Sequence, residues 1–175
     1  MAEALLIALY LQVPVVIGGV LHMLAVTRDA LPTLRVPLHA GLFGANKTWR
    51  GVLLVPLLTA FGALCLWPSE QLLGARAVFT QPLWLAGLVA GFAYVLAELP
   101  NSWIKRRLGI APGVAPSRWV VLGDQLDSGL GVALAYGLLL GQPARVCLLY
   151  ALTFPLTALL VKRLLYWGRL KQSAV

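Results

Sequence analysis

The segment Leu5–Val26, LLIALYLQVPVVIGGVLHMLAV, contains 22 residues and no Asp, Glu, Lys or Arg. As a helix it is long enough to cross the hydrocarbon core of a bilayer, which needs roughly 20 residues. It is also longer than the apolar region of a secretory signal, and Glu3 stands where such a signal would carry basic residues. The segment therefore predicts a retained transmembrane helix.

The rest of the chain has the same character. Of its 175 residues, 60% are hydrophobic and 11% are charged, whereas soluble domains contain about 25% charged residues. We therefore expect an all-α integral membrane protein in which residues 1–175 form one transmembrane domain. Apolar runs predict five transmembrane helices, at Leu5–Val26, Gly51–Trp67, Pro82–Leu99, Trp119–Leu140 and Val146–Tyr166.

Basic residues predict how these helices are oriented. Arg76 and Arg145 fall on one side of the membrane, and the other twelve lysines and arginines fall on the opposite side. Basic connections are retained in the cytoplasm, so we expect an external N-terminus, a cytoplasmic C-terminus and cytoplasmic connections at 27–50 and 100–118. The twelve are Arg28, Arg35, Lys47, Arg50, Lys105, Arg106, Arg107, Arg118, Lys162, Arg163, Arg169 and Lys171.

The net charge of +8 is also typical of nucleic-acid-binding proteins. In a membrane protein, orientation and attraction to lipid phosphates explain it more simply. We therefore expect a multi-pass protein of the cell membrane, with no nucleic-acid partner and with its site on the cytoplasmic side. Lys162 and Arg163, near the end of the fifth run, are interpreted as snorkelling to the interface. Four further residues are interpreted as structural, namely His22, His39, Cys65 and Cys147.

Two carboxylates are predicted on one face of the fourth helix. Asp124 and Asp127 are three residues apart and Ser128 follows, a spacing that brings all three to the same face. A carboxylate at mid-membrane costs roughly 2.5–3.5 kcal/mol on an insertion scale. Mg²⁺, which takes one or two carboxylates together with substrate phosphates, would offset that cost. The alternative, a helix that begins near Asp124 and is capped by it, explains Asp127 poorly, so we expect a Mg²⁺ site here.

Lys105, Arg106 and Arg107 form a triplet that is predicted to bind phosphate. Arginine offers a two-pronged donor to phosphate, and lysine offers a mobile positive charge. A basic triplet without polar neighbours would be explained by membrane orientation alone, because basic residues are retained on the cytoplasmic side. Here Asn101 and Ser102 lie within one or two helical turns and add polar side chains, which favours a phosphate-binding role.

The segment Gly44–Gly51 opens the second predicted helix and carries Lys47, Thr48 and Arg50. It is not a Walker A loop, because the second glycine before the Lys-Thr pair is missing. The free N–H groups and the positive dipole end of the helix still favour an anion there. The alternative is an interfacial anchor built around Trp49.

Glu98 lies at the end of the third predicted helix, and three roles are open to it. It is a candidate third metal ligand with Asp124 and Asp127, a candidate base, and a candidate ion-pair partner of Lys105 or Arg106. All of these acids and bases fall at the face assigned to the cytoplasm. One site with access to nucleotides and Mg²⁺ is therefore expected there.

Small residues recur every four positions on the fourth predicted helix, a pattern that lets a neighbouring helix approach closely. Gly87-x-x-x-Gly91 on the third predicted helix offers a matching surface. We therefore expect the fourth helix at the centre of the bundle and not in contact with lipid. The glycine pair is compatible with packing inside one chain or in a homodimer. The small residues are Gly129, Ala133, Gly137 and Gly141.

Three segments, taken together, resemble the CDP-archaeol synthase family, which is related to the CDP-diacylglycerol synthases (phosphatidate cytidylyltransferases). The resemblance also covers the length of the chain, the number of predicted helices and the order of the segments. The diacylglycerol branch has a Lys-Asp pair where this chain has Ala111 and Pro112, a departure that favours the archaeal-type branch. The segments are Gly44-x-x-Lys47-Thr48-Trp49-Arg50-Gly51, the run Glu98–Gly113 (ELPNSWIKRRLGIAPG) and Asp124-Gln-x-Asp127-Ser128.

The resemblance implies a membrane cytidylyltransferase that transfers CMP from CTP to a lipid phosphate and yields a CDP-lipid and pyrophosphate in phospholipid biosynthesis, with Mg²⁺ as cofactor. Asp124 and Asp127 would hold the metal, with Glu98 as a further candidate. The lipid tails stay open, because isoprenoid ether chains and fatty acyl chains require the same apolar grooves. The residues that would bind or neutralise phosphate are Lys47, Thr48, Arg50, Asn101, Ser102, Lys105, Arg106 and Arg107.

Two other functions are compatible with a small basic membrane protein. A subunit of an anion transporter would move its substrate across liposomes without releasing pyrophosphate. The apolar outer halves of the five runs argue against it, because no polar path continues across the membrane. A lipid-binding scaffold would bind anionic lipid whether or not a chelator is present.

Overall fold

Helices make up most of the chain in the computed structural model, which describes residues 1–114 and 117–168. Two of the residues used to predict the orientation, Arg169 and Lys171, lie outside the described residues, as does the side chain of Arg118. Short 3₁₀ turns occur at Pro32–Leu34 and Gly74–Arg76. The α-helices are α1 (Ala2–Tyr10), α2 (Val13–Thr27), α3 (Ala40–Phe43), α4 (Trp49–Leu64), α5 (Trp67–Leu73), α6 (Leu83–Arg107), α7 (Arg118–Leu140) and α8 (Ala144–Trp167).

Three helical segments of the described chain are long and apolar enough to cross a membrane, namely α6, α8 and Ala2–Thr27, which joins α1 to α2. A fourth candidate is α4 together with Trp67–Arg76, a pair that is bent by 42°. α7 is not among these candidates, because Asp124 and Asp127 lower its hydropathy. The all-helical architecture is thus confirmed with three or four candidate spans, and the fifth span and the orientation stay predictions.

The first predicted helix is divided at Leu11 and Gln12. Pro14 lacks an N–H group, so a carbonyl one turn earlier has no helical partner, and α1 ends there. Tyr136 Oη donates a hydrogen bond to the carbonyl of Leu11 at 2.9 Å. Gln12 Nε2 donates to Thr153 Oγ1 at 2.7 Å. Side chains from α7 and α8 therefore bond to the chain at the break.

The third predicted helix extends further than expected. The sequence predicted an end at Leu99, but α6 passes through Pro100 and ends at Arg107. Proline removes one intrahelical hydrogen bond, and the packing of α4 and α7 against α6 keeps the segment helical. The prediction that the connection begins at residue 100 is therefore wrong. The connection covers 108–117, so the basic triplet belongs to the last turns of α6.

α7 begins earlier than a cap at Asp124 would require. Ser117 Oγ accepts a hydrogen bond from the Val120 N–H at 3.3 Å, and the helix starts at Arg118. Asp124 is therefore more than one turn inside the helix. The alternative in which Asp124 only caps α7 is wrong.

The helices form a closed ring of neighbours. α4 packs on α2 and α6, α7 packs on α6 and α8, and α1 packs on α8. Because α1 and α2 belong to one segment, these contacts complete the ring. The expectation that the fourth helix avoids the surface is wrong, since one face of α7 is buried and the other carries an exposed stripe. The stripe consists of Leu126, Leu130, Leu134 and Leu138.

Glycines bring helices close together, although not in the predicted pairs. A Cβ on Gly87 would lie 2.5 Å from Ala60 Cα, and one on Gly91 would lie 2.4 Å from Pro56 Cα. The glycine pair of α6 therefore packs on α4 and not on α7 as predicted. Because α4 covers it within the chain, it is not available for a homodimer contact.

The small-residue stripe of α7 faces α8 instead. A Cβ on Gly129 would lie 3.0 Å from Phe154 Cδ1, and one on Gly137 would lie 3.2 Å from Cys147 Sγ. The close approach between α6 and α7 depends on Gly131, where a Cβ would lie 2.3 Å from the Cβ of a residue on α6. This contact brings the polar segment of α6 against the acids of α7.

The connection between α2 and α4 is held by a buried arginine. Arg50, which is 7% exposed, donates from Nη1 to Asp29 Oδ1 and to the carbonyl of Ala30, both at 3.1 Å. Backbone hydrogen bonds then join residues 36–38 to residues 47–49. These hydrogen bonds join the beginning and the middle of the connection to its end, and its last residues lie beside α6.

Candidate functional site

A polar cavity of about 240 Å³ lies at the end of the bundle where α6 finishes and α7 begins. Its walls come from α6, α7 and α8 and from the two connections that precede α4 and α7. Most of the predicted site residues meet here, although they are far apart in the sequence. Those that line the cavity are Lys47, Glu98, Asn101, Ser102, Lys105, Arg106, Asp124 and Asp127.

Asn101 holds the two predicted carboxylates together. Its Nδ2 donates to Asp124 Oδ1 and to Asp127 Oδ2, each at 2.6 Å. Two carboxylate oxygens that accept hydrogen bonds from the same nitrogen lie close enough together to contact one small ligand. The two acids therefore share a face of α7, as their spacing predicted, and α6 supplies the side chain that aligns them.

Lys105 pairs with Asp124 from the next turn of α6. Lys105 and Asn101 are separated by four residues, so both project from one face of the helix. The side chains of Lys105 and Asp124 are 15% and 31% exposed, which limits the screening of this pair by water. Asp127 has no such cation among its described partners and accepts instead from Ser128 Oγ at 3.0 Å.

Glu98 forms an ion pair with Lys47. This is one of the three roles that the sequence left open, but the partner lies in the connection before α4 and not among the basic residues of α6. Ser128 Oγ donates to the second carboxylate oxygen, Glu98 Oε1, at 3.5 Å. Ser128 thus connects Glu98 to Asp127, and the acids of α6 and α7 belong to one network.

The donor set at Asp124 and Asp127 suits Mg²⁺. Carboxylate oxygens are the ligands that this ion prefers, with the remaining positions taken by water and substrate phosphates. Both carboxylates are reached by one amide nitrogen and line a cavity with room for phosphate groups. Within residues 1–114 and 117–168 no group of three or more His, Cys, Asp or Glu side chains is placed to hold an ion. Glu98 is paired with Lys47 and is joined to Asp127 through Ser128.

Arg106 is packed against Gly44 at the cavity wall. Gly44 has a φ of 92°, a backbone conformation that favours glycine, and a Cβ there would lie 2.7 Å from Arg106 Nη1. The Nε atom of Arg106 is buried without a hydrogen-bond partner. The guanidinium group therefore keeps a donor that is not used within the described structure.

Three predicted phosphate-binding residues lie elsewhere. Thr48 Oγ1 caps α4 by accepting from the Gly51 N–H at 3.4 Å. Arg50 is occupied by the connection that it closes. The guanidinium carbon of Arg107 lies 5.4 Å from the ring centroid of Trp103. None of the three is among the described residues that line the polar cavity, so the structure does not bring them to the acids.

The two histidines differ in their surroundings. His39 Nδ1 accepts a hydrogen bond from the Leu42 N–H at 3.1 Å and caps α3, which agrees with its structural interpretation. His22 lies on α2 and lines a second cavity.

The second cavity has a volume of about 390 Å³ and adjoins the polar one. It lies between α2, α4, α6 and α8, and its walls are mostly aliphatic, with Val15, Val52 and Val161 as examples. The two cavities therefore share a wall, and a molecule with a polar head and an apolar tail fits both. The residues that line both cavities are Asn46, Lys47, Tyr94, Glu98, Gln125 and Lys162.

Sequence reasoning missed four of these shared residues. Tyr94 lies in an apolar run and carries no spacing signal, and Gln125 belongs to the Asp124-Gln-x-Asp127-Ser128 motif but was given no role. Asn46 was passed over inside its motif. Lys162 was interpreted as snorkelling, although a charge within an apolar run is itself a signal of a site. Only the packing of α8 against its neighbours shows that Lys162 lines the cavities.

The arrangement as a whole combines acids that can hold a cation, bases that can neutralise phosphate, and an adjoining apolar space. No protein-family model, no curated protein and no solved structure matches the chain.

Proposed function

We propose that this protein is a membrane cytidylyltransferase that transfers CMP from CTP to a lipid phosphate, the activity implied by the resemblance of its motifs to the CDP-archaeol synthase family. The observation that carries the proposal is the shared wall between a polar cavity rich in acids and bases and an apolar cavity. This pair of cavities suits a reaction between one fully polar substrate and one that has a charged head and an apolar tail.

The proposed topology has five spans, with α7 as the fourth, an external N-terminus and a cytoplasmic C-terminus. α7 has 23 residues, enough to cross a bilayer. Its acids bond to Asn101 on α6, while its exposed face is a stripe of leucines. The basic connections lie at the cavity end of the bundle, which supports a cytoplasmic location for the cavity, where CTP and Mg²⁺ are available.

In the proposed reaction, an oxygen of the lipid phosphate forms a bond to the α-phosphorus of CTP. The bond between that phosphorus and the bridging oxygen breaks, and pyrophosphate leaves with the electron pair. The attacking group is already an anion, so no strong base is required. Catalysis then depends on positioning and on neutralising charge.

The residues of the polar cavity divide these tasks. Asp124 and Asp127 would hold Mg²⁺, and Asn101 keeps the two carboxylates aligned. When bound, the ion would supply positive charge to the phosphate oxygens. Lys105 and Arg106 line the polar cavity and are not among the described residues that line the apolar one. In the proposed reaction they bind oxygens of the triphosphate. When ligands occupy the site, Lys105 and Asp124 give up their contact with each other and contact the ligands instead.

The activity is tested directly with purified protein in proteoliposomes. Labelled CTP and Mg²⁺ are supplied with an archaeal-type or a diacyl lipid phosphate in parallel, and labelled lipid and pyrophosphate are measured. We expect both products with at least one lipid, and none after chelation of the metal. Anion flux without pyrophosphate would instead favour a transporter, and lipid binding that is indifferent to chelator, without product, would favour a scaffold.

The role of the apolar cavity is tested at Gly19. This residue lines the cavity, and a Cβ there would have no heavy atom within 4 Å, so Gly19→Leu adds bulk to open space. We expect the KM for a long-chain lipid phosphate to rise roughly tenfold, with a smaller rise for a short-chain analogue and no change for CTP. Gly123→Leu is the matched control, because Gly123 also faces open space but is not among the described lining residues. Equal effects of both variants would contradict the assignment.

A further inference from the structure

Lys162 lies where the polar and apolar cavities meet. It lines both of them and is supplied by α8, the last helix of the ring. A snorkelling lysine would follow the outside of the helix to the interface. Lys162 instead faces the interior space between α8 and its neighbours, so snorkelling does not explain its position.

The other cations of the site differ from Lys162 in which cavities they line. Lys105 and Arg106 line the polar cavity but not the apolar one. Lys47 lines both cavities and forms an ion pair with Glu98. Lys162 is therefore one of two cations at the boundary, and it reaches the boundary from α8, whereas Lys47 reaches it from the connection before α4.

We propose that Lys162 binds the phosphomonoester headgroup of the lipid substrate and selects lipids that carry it. This inference rests on the proposed function. A lipid whose tail fills the apolar cavity must place its phosphate at the boundary, since its reacting oxygen has to reach the nucleotide in the polar cavity. A lysine ammonium acts there as a compact point charge for a phosphate. The apolar walls on one side strengthen the attraction by lowering the local dielectric constant.

The chain offers a matched control in the next residue. Arg163 is also basic and lies on the same helix, but it is exposed and is not among the described residues that line either cavity. Lys162→Ala and Arg163→Ala therefore remove the same charge from two positions of α8 that differ in access to the cavities. Lys162→Arg keeps the charge and tests for rescue.

The first measurement is equilibrium binding to the purified full chain in detergent, without CTP. The probes are a short-chain diacyl phosphate and the diacylglycerol with the same chains. We expect wild type and Arg163→Ala to prefer the phosphate, and Lys162→Ala to lose roughly tenfold of its affinity for it. Affinity for the diacylglycerol should not change, and Lys162→Arg should recover part of the loss. Unchanged phosphate binding by Lys162→Ala would overturn the inference.

The second measurement is the kinetics of CDP-lipid formation. Lys162→Ala should raise the KM for the lipid phosphate roughly tenfold and leave the KM for CTP within about twofold. A rise confined to CTP would overturn the inference while the cytidylyltransferase assignment stood. If wild type formed no CDP-lipid but bound the diacyl phosphate through Lys162, the recognition of the headgroup would stand and the proposed reaction would fail.

Discussion

The two ends of the bundle use polar side chains in different ways. At the end where α6 finishes, acids and bases contact one another around a cavity of about 240 Å³. At the opposite end, polar side chains bond to the backbone of the connections. Glu70 Oε2 accepts a hydrogen bond from the Phe79 N–H at 3.0 Å, and Gln142 Nε2 donates to the carbonyl of Val78 at 2.9 Å.

We expect this difference to separate effects on stability from effects on the proposed activity. A side chain that bonds to the backbone of a connection satisfies a group that would otherwise be left without a partner, so its loss weakens the fold. Side chains that bond to each other around a cavity can exchange partners when a charged ligand arrives. Substitutions of the residues that line the polar cavity should therefore reduce activity, and substitutions of the residues that bond to the connections at the opposite end should reduce stability.

The largest effect is expected at the acidic pair. Asp124→Asn and Asp127→Asn keep the shape of the side chains but remove the charges that would hold Mg²⁺. CDP-lipid formation should fall by a factor on the order of 10²–10³ or more, as measured with labelled CTP. Thermal unfolding in detergent should stay close to that of wild type. Full activity in either variant would refute the metal assignment.

A smaller loss is expected when the residue that aligns the acids is removed. Asn101→Ala leaves both carboxylates in place but takes away the amide that contacts them. Loss of such a supporting contact typically reduces metal affinity or activity by about 10–100-fold. The rate measured against Mg²⁺ concentration should shift to higher concentrations and recover in part at saturation. A wild-type Mg²⁺ dependence would show that Asn101 has no part in the site.

The opposite end should respond in stability alone. Glu70 is 7% exposed, and Glu70→Ala leaves the Phe79 N–H without its partner. We expect a loss of about 1–3 kcal/mol in the free energy of unfolding, measured in detergent. The activity of the folded fraction should be unchanged. Glu3→Ala, at an exposed position of the same end, is the control and should change neither quantity. An inactive but stable Glu70→Ala protein would contradict the division between the two ends.

The smallest effect is expected at Arg107, although it belongs to the same triplet as Arg106. Arg107 lies over the ring of Trp103, and an exposed cation–π contact contributes about 0.5–1 kcal/mol. Arg107→Ala should therefore keep activity within about twofold and lower stability slightly. Arg106→Ala, measured in parallel, should lose far more activity. Comparable losses in the two variants would place Arg107 in the site.

Part of this site was predictable from local spacing. Residues three apart on a helix share a face whatever surrounds them, so the alignment of Asp124 and Asp127 followed from the sequence. The end of α6 did not, because Pro100 breaks an isolated helix but is tolerated where neighbouring helices pack. The separation of Arg106 from Arg107 also depended on the true course of α6, which turns adjacent residues in different directions.

The amino-acid sequence alone determined that the chain is helical and apolar, and which polar residues share a helical face, because both properties depend on neighbours within a few residues. Only the tertiary structure decided which acid meets which base. The Lys47–Glu98 and Asn101–Asp127 contacts join residues 51 and 26 positions apart, and glycine contacts between helices bring them together. The junction of a polar and an apolar cavity at Lys162 likewise exists only once α8 packs against the rest of the ring.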